Sequence, residues 1–221
     1  MDLSKSFEYF DPTAINDRCH IIGCGSVGST IAENLARLGV KDFVLYDFDI
    51  VEPHNIANQM FVNSDIKKLK VEATKRIIVD INPDAESTIE LHPEGYKGQK
   101  LGGFVFLAVD NIDLRREICT KNKMNRAIKV MFDVRTGLEQ ATTYAAVWGD
   151  LRQVNNFLKS MEYTHEEAQA AAPVTACGRT LGVAPTVKVV STICVCNFVN
   201  FIRKGNLKPI VVCEPFGMEM Y

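Results

Sequence analysis

The chain reads as an α/β protein with a Rossmann-like, doubly wound and mainly parallel sheet, and with antiparallel strands toward the C-terminus. Three observations predict this. Short apolar runs alternate with segments of helical periodicity through the first two thirds of the chain. The strand-like Ile21-Ile22 enters the glycine turn Gly23-Cys24-Gly25-Ser26-Val27-Gly28, and the next apolar run ends in Tyr46-Asp47-Phe48-Asp49. Residues 104–109 form a near-continuous apolar run, as expected of a central strand covered on both faces.

The elements follow in order. The first strand is 19–23. A helix over 26–38 presents Val27, Ile31, Leu35 and Leu38 on one stripe, and Gly39 supplies a left-handed C-terminal cap. The second strand is 43–47. A helix is expected from about Ser64, with Asp65 in its first turn, to just before Asn82-Pro83; its stripe is Ile66, Leu69, Ala73, Ile77 and Ile81. A short strand falls within 87–91, the buried strand over 104–109, a helix over 112–126 and a strand over 129–134. A further strand is read at 142–148. Residues 151–172 are polar and then alanine-rich and carry no clear periodicity. A long apolar helix over 184–203 is stopped by Gly205, and an edge strand is read at 208–213.

Length and composition bound the function. With 221 residues and 47% hydrophobic content the chain buries a full core as one domain, 1–221, with 1–17 as an N-terminal extension and 149–176 as a crossover-type loop. A net charge of −2 gives no bulk attraction to a polyanion, so no nucleic-acid partner is expected. The first residues lack the apolar core of a secretion signal. Residues 189–202 are too short for a membrane span and contain Ser191, Thr192, Asn197 and Asn200, so no membrane partner is expected. Seven cysteines, an odd number with several inside apolar runs, suit free thiols in the cytoplasm.

The glycine turn carries the chemistry. Gly23 permits a tight turn, Gly25 lets the amides at Ser26 and Val27 approach a phosphate, and Gly28 lets the helix pack close to the strand. Asp47 stands where an acid accepts hydrogen bonds from ribose hydroxyls. Asp49 has three readings: it orients the loop, helps to hold a metal, or caps residues 50–53. Asp110 ends a buried strand, where ligands bind in open α/β sheets. Lys70 falls in a basic cluster with Lys67 and Lys68, which by spacing alone reads as a solvated face. His54 reads as a surface loop histidine. No Ser/His/Asp constellation is present in its expected context.

Taken together, Gly-Cys-Gly-Ser-Val-Gly, Leu-Ala-Arg-Leu-Gly-Val and Asp-Phe-Asp-Ile-Val-Glu-Pro-His-Asn-Ile-Ala-Asn-Gln resemble the ThiF/MoeB/HesA family of adenylating enzymes, relatives of the ubiquitin-activating enzymes. The likeness continues through Lys70-Val71-Glu72, Ile81-Asn82-Pro83 and Val109-Asp110-Asn111, and resumes at Cys177, Gly182 and Pro185. It implies ATP and Mg2+ as cofactors and adenylation of the C-terminal carboxylate of a ubiquitin-like or sulfur-carrier protein, with a Gly-Gly-type terminus, or of a peptide. By the same resemblance Asp47 contacts ribose, Asn55 and Gln59 line the triphosphate, Lys70 holds phosphate charge, Asp110 holds Mg2+, and Cys177 forms a covalent link to the carrier. A homodimer is implied too, with the long helix at the subunit interface.

The chain departs from the pattern at one point. The family usually carries Asn-x-x-Arg-Gln, and here Asn58 replaces the arginine that steadies the pyrophosphate side. Either another cation such as Arg18 or one from a partner subunit compensates, or turnover is slow or uses another substrate, or nucleotide is held without turnover. No zinc is expected: the chain has no Cys-x-x-Cys pair, and Cys194 and Cys196 point apart on a helix. The cysteines Cys19, Cys119, Cys194 and Cys196 read as core. Two alternatives remain, a non-catalytic nucleotide-binding relative and an NAD(P)-dependent oxidoreductase; the latter leaves Asp49, the Asn55 loop and Asp110 unexplained.

Overall fold

The computed structural model describes residues 1–171 and 181–221. The strands β1 (Cys19–Ile22), β2 (Phe43–Tyr46), β3 (Glu90–His92), β4 (Gly103–Leu107), β5 (Ile128–Thr136), β6 (Ala141–Val147), β7 (Ile210–Glu214) and β8 (Glu219–Met220) form one sheet in the order β3-β2-β1-β4-β5-β6-β7-β8. The first five in that order are parallel and the last three are added antiparallel. The central register aligns Ile22 with Tyr46 and with Leu107, so three strand ends finish level at one edge.

The helices are α1 (Ser26–Arg37), α2 (Lys70–Ile81), α3 (Ile112–Lys121), α4 (Leu151–Lys159), α5 (His165–Ala171) and α6 (Ala184–Lys204). Strand alternation divides the core between the two faces of the sheet. Cys19, Ile21, Phe104 and Phe106 meet α1, α2 and α6 on one face; Ile22, Val105 and Leu107 meet α3 and α4 on the other. This double cover is why the central strands read as unbroken apolar runs. The helix α1 ends at Gly39, whose φ of 90° takes the expected left-handed cap; Val40 N–H returns to the Leu35 carbonyl at 3.1 Å. Gly205 closes α6 in the same way at φ 64°. The N-terminal extension packs here, and a Cβ on Gly39 would lie 2.7 Å from the Leu3 side chain.

Several elements differ from the sequence reading. The helix expected from Ser64 begins at Lys70. Residues 63–65 form one 3-10 turn and 66–68 a tight turn in which Lys67 sits at φ 74°; Ile50 bridges Leu69, and Val51 exchanges backbone bonds with Lys67 and Lys68. Asp65 is therefore not a first-turn acid. It is fully buried and held by Arg76 at 2.7 Å. The helix α3 stops at Lys121 rather than 126, because the Asn125 amide donates to the Leu101 carbonyl at 3.0 Å and turns the chain away.

The span read as a crossover-type loop carries α4 and α5 within its described part. The Asp150 carboxylate caps α4 by accepting from the Arg152 and Gln153 amides. The short β8 was not anticipated. By length and composition α6 is apolar enough to cross a membrane, in contrast to the shorter 189–202 stretch read from the sequence; half of that apolar window is buried in the fold.

Candidate nucleotide site

The level ends of β1, β2 and β4 open into a cavity of about 320 Å³. Gly23, Gly25 and Ser26 form one wall, Asp47, Phe48, Asp49, Gln59 and Lys70 a second, Gly95, Tyr96 and Lys97 a third, and Ala108, Val109 and Asp110 a fourth. A larger cavity of about 630 Å³ lies among α4, β6 and Pro209. Its one acid, Asp150, is occupied in capping α4. The smaller cavity gathers the convergent charges, and it sits where open α/β sheets bind ligands.

Gly23 turns at φ 96°, and a Cβ there would lie 2.8 Å from the Ala108 backbone. A Cβ on Gly28 would lie 1.8 Å from the Gly23 carbonyl oxygen. Both glycines are therefore fixed by close backbone approach. Gly25 differs: nothing lies within 4 Å of its missing Cβ, and with no side chain to cap α1 the helix's first amides are left free for an anion. Gly28 and Val27 do not line the cavity. Val27 is buried in the core, so only its backbone is available to a ligand.

Asp47 accepts from Cys24 N–H at 2.7 Å and from Asp49 N–H at 2.8 Å. Burial pushes its carboxyl above the ordinary aspartate range, against the lowering effect of those two donors and Lys70. Lys70 is 8% exposed, and its Nζ donates to Asp49 Oδ2 at 2.7 Å. The basic cluster thus divides: Lys68 pairs with Asp65, whereas Lys70 turns inward. The Asp49 carboxylate is thus engaged by the Lys70 ammonium. The side-chain carbonyl of Gln59 is buried in the cavity wall and has no hydrogen-bond partner among the described residues. Such an orphan costs free energy until a ligand satisfies it.

Other expected residues stand elsewhere. Asn55 misses this cavity; its Oδ1 accepts from Glu52 N–H at 2.9 Å, and it lines a side pocket of about 170 Å³ with Asp49 and Lys70. Asn58 also lies outside the cavity wall, with its amide nitrogen 3.5 Å from where a Cβ on Gly182 would stand. Arg18 offers no replacement cation. It precedes the opposite end of β1 and pairs with Asp42 at 2.8 Å and Glu90 at 2.6 Å. His54 is exposed and pairs with Glu52.

Cys177 lies outside the described residues. Cys19, Cys24 and Cys194 are buried and burial raises their thiols, as for core residues. Cys196 is exposed, contrary to its core reading, because it falls on the opposite face of α6 from Cys194.

Sequence reasoning missed the wall over residues 94–97, which comes from the loop after β3. His92 anchors it, bonded to Glu90 and Glu94 at 2.9 Å each and stacked on Tyr46 at 4.7 Å. The signal was faint, since one glycine among polar residues marks any turn.

The cavity lining holds four carboxylates, Asp47, Asp49, Glu94 and Asp110, against two ammonium groups, Lys70 and Lys97. A triphosphate entering it needs added positive charge. Asp110 is exposed at the end of β4, and its carboxylate has no hydrogen-bond partner among the described residues. A carboxylate beside a helix N-terminus suited to phosphate is a donor Mg2+ takes, with phosphate oxygens and water completing its shell. The residues present fit that ion.

Comparison with known proteins agrees with this architecture. Ubiquitin-like modifier-activating enzyme 5 of Caenorhabditis elegans is 28% identical over 128 residues, covering 55% of this chain and 28% of that protein. The Drosophila mojavensis protein of the same name is 33% identical over 148 residues, covering 57% and 35%. The chain thus spans about a third of the length of these relatives or less. Among solved structures, PaaA superposes with a TM-score of 0.72 at 18% identity, covering 95% of this chain and 64% of that one. Escherichia coli MccB with ATP superposes at 0.71 and 17% identity with the same coverage; these likenesses establish the fold. The ThiF family model matches residues 13–212, nearly the whole described sheet with its glycine turn, and the chain belongs to the ThiF family.

Proposed function

We propose that the chain binds ATP with Mg2+ in the β1–α1 cavity and adenylates the C-terminal carboxylate of a ubiquitin-like or sulfur-carrier protein, with a Gly-Gly-type terminus, or of a peptide. One observation carries this reading: the α1 amides, Asp47, the Gln59 carbonyl, the buried Lys70 and Asp110, whose carboxylate has no hydrogen-bond partner among the described residues, converge on one cavity. Family membership and the E1-like relatives support it.

In this reading the carboxylate oxygen attacks the α-phosphorus, the bond from that phosphorus to the bridging oxygen breaks, and pyrophosphate leaves with its electron pair. Two anions meet, so catalysis is largely charge neutralisation and in-line placement. Asp47 receives the ribose hydroxyls and thereby sets the sugar, and the α1 amides receive phosphate oxygens. Lys70, released from Asp49, follows the charge as a point cation. Asp110 would hold Mg2+, which would supply charge neutralisation for the leaving pyrophosphate. Cys177 is assigned as a later acceptor of the activated acyl group, and a cytoplasmic homodimer belongs to the same proposal.

ATP–pyrophosphate exchange with candidate carriers tests it. Carrier-dependent exchange is expected. Nucleotide binding without exchange selects the holding role that Asn58 favours, and binding of NAD with indifference to ATP rejects the proposal. Asn58 supplies hydrogen bonds but no charge, so where turnover is slow for want of that charge, Asn58→Arg is expected to raise exchange. Unchanged exchange in that variant contradicts a charge deficit at this position.

A further inference from the structure

Arg115 is a charged residue on the polar helix α3, yet it is only 6% exposed. Its guanidinium spans three groups. Nε donates to the Val109 carbonyl at 2.8 Å, and Nη2 donates to the same oxygen. Nη1 donates to the Val134 carbonyl at 2.9 Å and to the carboxylate of Asp133. Asp133 is fully buried, and its second oxygen accepts from Arg135 Nε at 2.7 Å. An arginine fork is suited to this task because its donors are rigidly spaced.

Val109 is the residue before Asp110. On its other side the Ala108–Val109 backbone lies against the Gly23 turn, 2.8 Å from where a Gly23 Cβ would stand, and Ala108 N–H donates to the Ile22 carbonyl at 2.8 Å. On the far side of Asp110, Asn111 caps α3 by accepting from Leu114 N–H at 2.9 Å. The backbone is thus clamped before and after Asp110, while the Asp110 carboxylate has no hydrogen-bond partner among the described residues.

We infer that Arg115, braced by Asp133, is a positioning residue that fixes the Asp110 carboxylate at a set distance from the glycine turn. The inference rests on the proposed role of Asp110 toward Mg2+. Arg115 does not line the nucleotide cavity, and four of its five N–H donors are taken by Val109, Val134 and Asp133. Groups that orient a metal ligand in this way typically change metal affinity by about 10- to 100-fold when removed.

The test is calorimetric titration of a non-hydrolysable ATP analogue with and without Mg2+, for wild type, Asp110→Asn, Arg115→Met and Arg115→Lys. The wild type is expected to bind more tightly with Mg2+. Arg115→Met is expected to lose that strengthening as Asp110→Asn does, by about tenfold or more, while its Mg2+-free affinity stays at the wild-type value. Arg115→Lys keeps a charge for Asp133 without the fork and is expected to fall between. Equal losses with and without Mg2+ would assign Arg115 to holding the fold and overturn the inference. Should the variants not fold, a wild-type crystal with analogue and Mg2+ decides: Asp110 away from the ion overturns it. A wild type that binds no nucleotide refutes the proposed function itself, which is a separate outcome.

Discussion

Lys70 and Asp49 are joined twice: Nζ meets the carboxylate at 2.7 Å, and the Lys70 amide donates to the Asp49 carbonyl at 2.9 Å. The backbone bond sets where α2 begins, and the side-chain bond keeps a nearly buried ammonium facing the cavity. Asp49 is half exposed, so the side-chain pair itself contributes little to stability. Its consequence lies in binding, because a phosphate can take over a partner already held in place.

Lys70→Met is therefore expected to weaken ATP by about 1.5–3 kcal/mol, the range for hydrogen bonds to charged groups, with a change in unfolding free energy below about 1 kcal/mol. Calorimetric titration and urea unfolding measure the two. Unaltered ATP affinity would remove Lys70 from the site.

The glycines of the turn separate folding from binding. Gly28→Ala drives a methyl into the Gly23 carbonyl and is expected to destabilise the chain by about 3 kcal/mol or more. Gly25→Ala meets no atom within 4 Å, so its stability should stay within about 0.5 kcal/mol of wild type. Its methyl would stand where phosphate approaches, and a loss of about tenfold in ATP affinity is expected. Thermal unfolding and ATP titration of both variants check this contrast.

Burial raises the Asp47 carboxyl, so it takes up a proton at a higher pH than an ordinary aspartate does. Ribose hydroxyls donate to its ionised form. ATP affinity should fall as pH is lowered through that raised value, and the difference between wild type and Asp47→Asn should shrink accordingly. Titrations from pH 8 down to the acid limit of the fold measure the difference, which cancels the nucleotide's own ionisation. A constant difference would mean that Asp47 does not meet the sugar.

His20 is 4% exposed and bonds the Tyr46 hydroxyl at 3.0 Å. Burial, helped by Arg18, pushes its pKa down from 6.5 to about 4. The unfolded chain then binds a proton that the folded chain refuses. Stability from the neutral ring is complete above about pH 6.5 and drains as pH falls toward about 4, by up to roughly 3 kcal/mol. Urea midpoints at pH 7.5 and 4.5 should converge between wild type and His20→Gln as pH falls; parallel losses would contradict the assignment.

Much of this was legible in the sequence, because the period of each early segment and the glycine turn obey local rules. Gly23, Asp47 and the run to Leu107 announce strand, turn and strand end without any tertiary knowledge. Three features were not legible. The start of α2 is set by the pairing of Val51 with Lys67 and Lys68, a contact between separate segments. Arg115 looks like any exposed arginine on a polar helix, and only the fold buries it against Asp133. The wall at 94–97 owes its place to β3 lying beside β2. The Asn55 side-chain oxygen accepts from the Glu52 amide within its own loop, a contact no sequence pattern announces.

The most direct measurement is calorimetric titration of the purified chain with ATP in the presence of Mg2+. The account predicts saturable binding at one site per chain, weakened in Gly25→Ala and in Lys70→Met. Absence of binding at millimolar ATP, or binding that both substitutions leave untouched, would contradict it.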